Sequence, residues 1–144
     1  MFKKILLPTD GSELSGKAIE GGLAFAKALG ASVVGLTVVE PYSYSNLSEY
    51  RPATLDDYEQ RVDKAAAARL GQIADAAARS GIPVETVTVK SFSPFEAIIE
   101  TAKDKGCDVI FMASHGRRGL SAVLLGSETQ KVLTHSTIPV MVYR

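Results

Sequence analysis

The chain has 144 residues, near the usual size of one domain of about 100–200 residues, so one domain spanning 1–144 is expected. Hydrophobic residues make up 46% and charged residues 22%, an ordinary globular composition that excludes an intrinsically disordered chain. Sixteen basic residues balance sixteen acidic ones, which argues against a nucleic-acid partner, whose phosphates call for a basic excess. The single cysteine, Cys107, cannot form an internal disulfide and fits a reducing compartment. No run reaches the roughly 18 apolar residues of a membrane span, and the apolar stretch before Pro8 is too short for a signal-peptide core. A cytoplasmic protein without membrane association is expected.

Short apolar runs alternate with longer amphipathic ones. Ile5-Leu6-Leu7 reads as the first strand. A helix follows from Ser12 to Leu29, with Ser12 as N-cap and Gly30 as C′ glycine. Ser32 to Val39 is rich in β-branched residues and forms the second strand. A polar loop, Glu40 to Ala53, carries Tyr42, Tyr44 and Tyr50, and is either a lid or a long crossover. Thr54 then opens a long helix whose apolar stripe includes Tyr58, Val62, Ala66, Leu70 and Ile73, ending at Gly81 and Pro83. Val84 to Val89 is the third strand. Ser93-Pro94-Phe95-Glu96 predicts a helix start with Ser93 as N-cap and Pro94 at the first helical position, and that helix ends near Gly106. Val109 to Ala113 is the fourth strand, Ser127 to Thr134 a short helix, and Ile138 to Tyr143 the fifth strand.

Strands alternating with helices predict a mostly parallel sheet covered on both faces. The first and fourth runs are apolar on both faces, as central strands must be, whereas Val84 to Val89 is mixed and suits an edge. Setting the first and fourth side by side gives the order 3-2-1-4-5. Ligands in such sheets bind outside the strand carboxyl ends at the switch point, here Pro8-Thr9-Asp10-Gly11 and Ala113-Ser114-His115-Gly116. The fifth strand, Ile138 to Tyr143, would be an almost wholly apolar edge, and a second copy of the chain pairing there would cover it; a homodimer is expected.

The stretch from Gly116 to Ser127 follows a central strand and leads into a helix. Helix N-termini present unpaired N–H groups and partial positive charge, and glycines let backbone approach an anion closely. A phosphate chain can be held this way without a dedicated lysine. In these residues the chain resembles the universal stress protein family, specifically its ATP-binding branch, whose pattern is Gly-x2-Gly-x9-Gly-Ser/Thr. Here it reads Ala113-Ser114-His115-Gly116, nine residues, then Gly126-Ser127, so alanine stands at the pattern's first glycine. Leu7-Pro8-Thr9-Asp10-Gly11-Ser12, Leu36-Thr37-Val38-Val39-Glu40 and Ile138-Pro139-Val140-Met141-Val142 resemble the family's first, second and last strands, so the likeness spans the chain.

The resemblance implies an α/β three-layer sandwich with a five-stranded parallel sheet in the order 3-2-1-4-5, Rossmann-like, of the adenine nucleotide alpha hydrolase-like kind. It implies ATP as the ligand, and the charge of a triphosphate calls for a divalent ion, Mg²⁺ or Mn²⁺, with Mg²⁺ expected. Pro8, Asp10 and Val38 would surround adenine and ribose, and Ala113 and Gly116 would meet ribose and the first phosphates. Gly126, Ser127 and the backbone of Glu128 would bind the outer phosphates. Thr9, Ser114, His115, Arg117 and Gly119, on the same loops, complete the candidate binding set. The family's homodimers form through the last strand, in line with the edge argument.

Rival readings fit less well. Gly11 to Ala18 is a near miss for a Walker A loop, but Ala18 stands where Ser or Thr should hold Mg²⁺ and Glu13 would put a carboxylate beside phosphates. No paired carboxylates, triad or metal-ligand spacing is evident. Asp10 is the one evident acid at the switch point, so hydrolysis would be slow at most. The expected function is an ATP-binding regulatory module of the stress response. The alternative is a dimeric adaptor of the same fold that binds no nucleotide. His115, Arg117 and Arg118 either meet the phosphates or are solvated.

Overall fold

The computed structural model describes residues 1–43, 54–116 and 124–144. Five strands form one sheet: β1 (Lys4–Pro8), β2 (Ser32–Val39), β3 (Val84–Lys90), β4 (Val109–Ala113) and β5 (Val140–Tyr143). Among the described residues the connecting helices are α1 (Glu13–Leu29), α2 (Leu55–Arg79), α3 (Pro94–Asp104) and α4 (Ser127–His135). Every strand pairing is parallel and the order is β3-β2-β1-β4-β5, as the strand compositions predict.

Alternation along the central strands divides the core in two. Ile5, Leu7, Val33 and Phe111 face α1 and α2, where they meet Ile19, Leu23, Leu70 and Ile73. Leu6, Val34, Leu36, Ile110 and Met112 face α3 and α4, where they meet Ile98, Ala102 and Val132. Residues inside both clusters are fully or almost fully buried, each worth about 1.5–3 kcal/mol for a large aliphatic side chain. β3 is only partly buried along its length, the signature of an edge strand. At the other edge, the fifth strand is shorter than predicted: Ile138 and Pro139 precede it, and pairing with β4 runs from Val140 to Tyr143.

The caps largely follow local sequence. Ser12 accepts from the Ser15 N–H at 3.2 Å and Thr54 accepts from the Asp57 N–H at 3.1 Å. Gly30 ends α1 at φ 66°, the left-handed conformation that glycine adopts without a Cβ penalty.

The start of α3 departs from prediction. Ser93 makes no side-chain cap bond; its own N–H instead donates to Ser91 Oγ at 3.0 Å. The cap comes from another helix: the Glu128 carboxylate of α4 accepts from the Phe95 N–H at 2.9 Å. A charged acceptor bonds a helix N-terminus more strongly than a hydroxyl does, so the incoming carboxylate displaces the local solution.

Cys107 is buried in the α3/α4 core, as a small packed residue, and burial pushes its thiol pKa up to about 11. Because the folded pKa lies above the unfolded one near 9, the stability this group contributes is intact below pH 9 and is lost between pH 9 and 11. Cys107 is therefore expected to resist a thiol-titrating disulfide reagent at pH 8 and to react fully in denaturant. Rapid labelling of the native chain would contradict this.

Candidate functional site

Among the described residues, α1, α3 and α4 begin around a cleft of about 440 Å³ at the carboxyl edge of the sheet. Its floor is the switch point between β1 and β4. Pro8, Thr9 and Asp10 line it from β1, Val38 from β2, and Ala113, His115 and Gly116 from β4. Gly126, Ser127 and Glu128 line it from the start of α4. Residues far apart in sequence and named for different parts of a nucleotide thus share one cavity. Ser114 is buried and off the cleft wall. Arg117 and Gly119, like Arg118, Tyr44 and Tyr50, lie outside the described residues.

The β1 loop is held from several sides. Thr9 donates its N–H to Leu36 O at 2.8 Å, and its own carbonyl accepts from Thr37 Oγ1 at 2.9 Å. Asp10 Oδ1 accepts from the Ser12 N–H at 2.9 Å, closing a turn into α1. A Cβ on Gly116 would collide with the other carboxylate oxygen of Asp10, so glycine here lets the β1 and β4 loops meet.

The β4 loop is tied to α4 as tightly. Gly126 N–H donates to Ser114 O at 2.8 Å, and Thr129 Oγ1 donates to Ala113 O at 3.0 Å. Ala113 ends β4 in register with Tyr143, in extended backbone that alanine adopts without strain. The methyl group at the family pattern's first glycine therefore costs the backbone nothing.

The helix N-termini differ in what occupies them. Ser12 and Asp10 serve α1, and Glu128 serves α3. At α4 the N-cap is Gly126, which has no side chain to offer, and the helix's first intrahelical bond is Gln130 N–H to Gly126 O at 3.0 Å. The N–H groups of Ser127, Glu128 and Thr129 precede that bond and have no intrahelical acceptor. Beside them His115 is 8% exposed. Its Nδ1 shares a 2.8 Å hydrogen bond with Ser114 Oγ, while Nε2 is buried with no partner among the described residues. An orphaned ring nitrogen and an open helix start on one cleft wall together suit an anion.

Other lining residues escaped the sequence reading. Arg69 of α2 lies against Gly11 and donates to Thr37 Oγ1 at 3.5 Å, bringing a guanidinium into a cleft whose acids are Asp10, Glu40 and Glu128. A signal existed: Arg69 falls three residues after Ala66 and four before Ile73, on the buried stripe of its helix. Thr129 and Ser15 are buried hydroxyls one turn into α4 and α1. Phe92 lies between two serines just beyond β3. His135, in the last turn of α4, packs its ring against Phe95 at 5.3 Å.

The model of the universal stress protein family matches residues 1–144. The chain belongs to the universal stress protein family. Universal stress protein YxiE of Bacillus subtilis is 32% identical, with all of both chains covered. A solved structure of MJ0577, a universal stress protein of Methanocaldococcus jannaschii, superposes with a TM-score of 0.82 at 32% identity, covering 99% of this chain and 95% of that one. The universal stress protein of Archaeoglobus fulgidus, solved in complex with dAMP, shares the fold at 14% identity, with a TM-score of 0.64 and coverage of 100% and 98%. Among the described residues no helix is long and apolar enough to cross a membrane.

Proposed function

We propose that the cleft binds an adenosine nucleotide, ATP with Mg²⁺, and that the chain acts as a homodimeric, nucleotide-dependent regulatory module of the stress response. The observation that carries this reading is the open N-terminus of α4. Of the three helices that start at the cleft, it is the one whose first N–H groups are not met by a side chain of the described residues. The dAMP complex of the Archaeoglobus relative supports nucleotide binding by this fold.

In this reading Pro8, Asp10 and Val38 surround adenine and ribose, with the Asp10 carboxylate near the ribose hydroxyls. Ala113 and Gly116 approach ribose and the first phosphates. Gly126, Ser127 and the Glu128 backbone take the outer phosphates, and His115 Nε2 donates to them. Thr9 and Ser114 act through the backbone, holding the two loops in place. Arg117 and Gly119 remain part of the proposed binding set by sequence position. Glu128 contributes only its N–H, because its carboxylate caps α3. Among the described residues no three metal-ligating side chains cluster, so Mg²⁺ would be held chiefly by the phosphates. When bound, the ion offsets phosphate charge in a cleft that carries three carboxylates. Asp10 Oδ1 is held by the Ser12 N–H, and in this reading ATP turnover is slow at most.

Among the described residues the far edge of β5 pairs with no strand, and Met141 and Tyr143 are each 37% exposed. A second copy adding strand to strand would cover this edge. The test is calorimetry with ATP and Mg²⁺, alongside mass spectrometry of ligand released from freshly purified chain. Binding near the micromolar range, about −8 kcal/mol, is expected, with a solution mass twice the 15.3 kDa of one chain. A monomeric mass would remove the dimer. Flat calorimetry with no released nucleotide would favour an adaptor that binds none.

A further inference from the structure

Phe92 lines the cleft with 64% of its surface exposed. It is not loosely hung. Ser91 donates its N–H to Val39 O at 2.9 Å, which ties the loop to the end of β2. Ser93 donates its N–H to Ser91 Oγ at 3.0 Å, and Ser91 Oγ donates to Ser93 O at 3.3 Å. The residues on either side of the ring are thus locked to each other and to the sheet. Pro94, next along the chain, stiffens the exit.

The strand order gives the cleft two chemically different ends. Phe92 follows β3, whereas Gly116 and Gly126 belong to the β4 side. Three strand spacings separate β3 from β4, roughly 14 Å. The β2–β3 end offers Val38, Ile98 and Phe92, apolar and aromatic; the β4 end offers backbone amides and His115. A ligand that fits both ends is flat and apolar at one extremity and anionic at the other.

Resting on the nucleotide reading above, we infer that Phe92 is the stacking platform for the base of the bound nucleotide. Base–aromatic stacking uses the π-face that every base has, and truncating such a residue weakens binding by about tenfold or more. Phe92 therefore sets affinity, while the choice among bases falls to groups that meet the base edge.

The chain contains no tryptophan, so Phe92→Trp introduces a single indole at the proposed contact. Its emission is expected to be quenched saturably by ATP and to be unmoved by inorganic tripolyphosphate, which occupies the amide end alone. Phe92→Ala, truncating an exposed ring, is expected to keep the melting temperature while weakening ATP about tenfold and leaving tripolyphosphate affinity unchanged. Unaltered ATP affinity in Phe92→Ala would overturn the stacking role and leave the nucleotide cleft standing. So would unaltered Phe92→Trp emission while calorimetry registers ATP binding. Absence of ATP binding by the unmodified chain would overturn both.

Discussion

Gly126→Val is expected to lower nucleotide affinity at least about 100-fold, the equivalent of ~2.8 kcal/mol. Even an alanine Cβ at this position would lie 3.2 Å from His115 Cα and 3.3 Å from Ser114 O. Both are backbone atoms, held by the strand and unable to swing aside. Alanine asks the contact to give by a few tenths of an ångström; the two methyl groups of valine push the first turn of α4 away from β4. The 2.8 Å bond from Gly126 N–H to Ser114 O is then lost, and the amides of Ser127 and Glu128 no longer aim at the His115 wall. Overpacking of this kind costs about 1–3 kcal/mol of stability, so the variant should still fold. Calorimetry with ATP, beside circular dichroism to verify the fold, reads the effect. Retention of full affinity by a folded Gly126→Val chain would show that the start of α4 is not where phosphate sits.

Phe111→Ala is expected to cost about 3–5 kcal/mol, a large share of the 5–15 kcal/mol that typically stabilises a domain. Phe111 is 3% exposed in a central strand, and its ring lies 5.7 Å from Phe25 and 5.7 Å from Tyr143. Truncation leaves a cavity between β4 and α1 that neither ring can fill without leaving its own contacts. Urea denaturation should show a lowered midpoint at an unchanged slope. The same strand ends at Ala113 and leads into Ser114 to Gly116, so under the proposed nucleotide function stability and site are coupled: ATP at one hundred times its dissociation constant should restore about 2.7 kcal/mol. A loss under 1 kcal/mol would mean that this part of the core collapses around the gap.

Much of this architecture could be read from local chemistry. Ile5 to Leu7 and Val109 to Met112 are apolar at every position, and a strand of that kind has to be covered on both faces, which places it centrally. The mixture of Val, Thr and Glu in β3 tolerates water on one side and marks an edge. Those compositions imply the strand order, and the order locates the switch point between Pro8–Gly11 and Ala113–Gly116 before any motif is considered. Gly116 and Gly126 were visible as glycines at the right spacing, although the reasons for them, the Asp10 carboxylate and the Ser114–His115 backbone, lie in other segments.

What local chemistry could not supply was the fate of groups whose partners arrive from elsewhere in the chain. Ser93 has every local qualification to cap α3, yet Glu128, 33 residues beyond Phe95, supplies the acceptor. Arg69 reads as one polar residue among alanines until α2 lies over β2 and its guanidinium reaches Thr37 and Gly11. The amino-acid sequence by itself determined the elements, their order in the sheet and the edge at which a ligand can enter, because periodicity and residue type act within a few residues of chain. Only the tertiary structure decided which helix start is left open. An N–H group is satisfied or exposed according to what else is packed beside it, and packing joins residues that the chain keeps far apart.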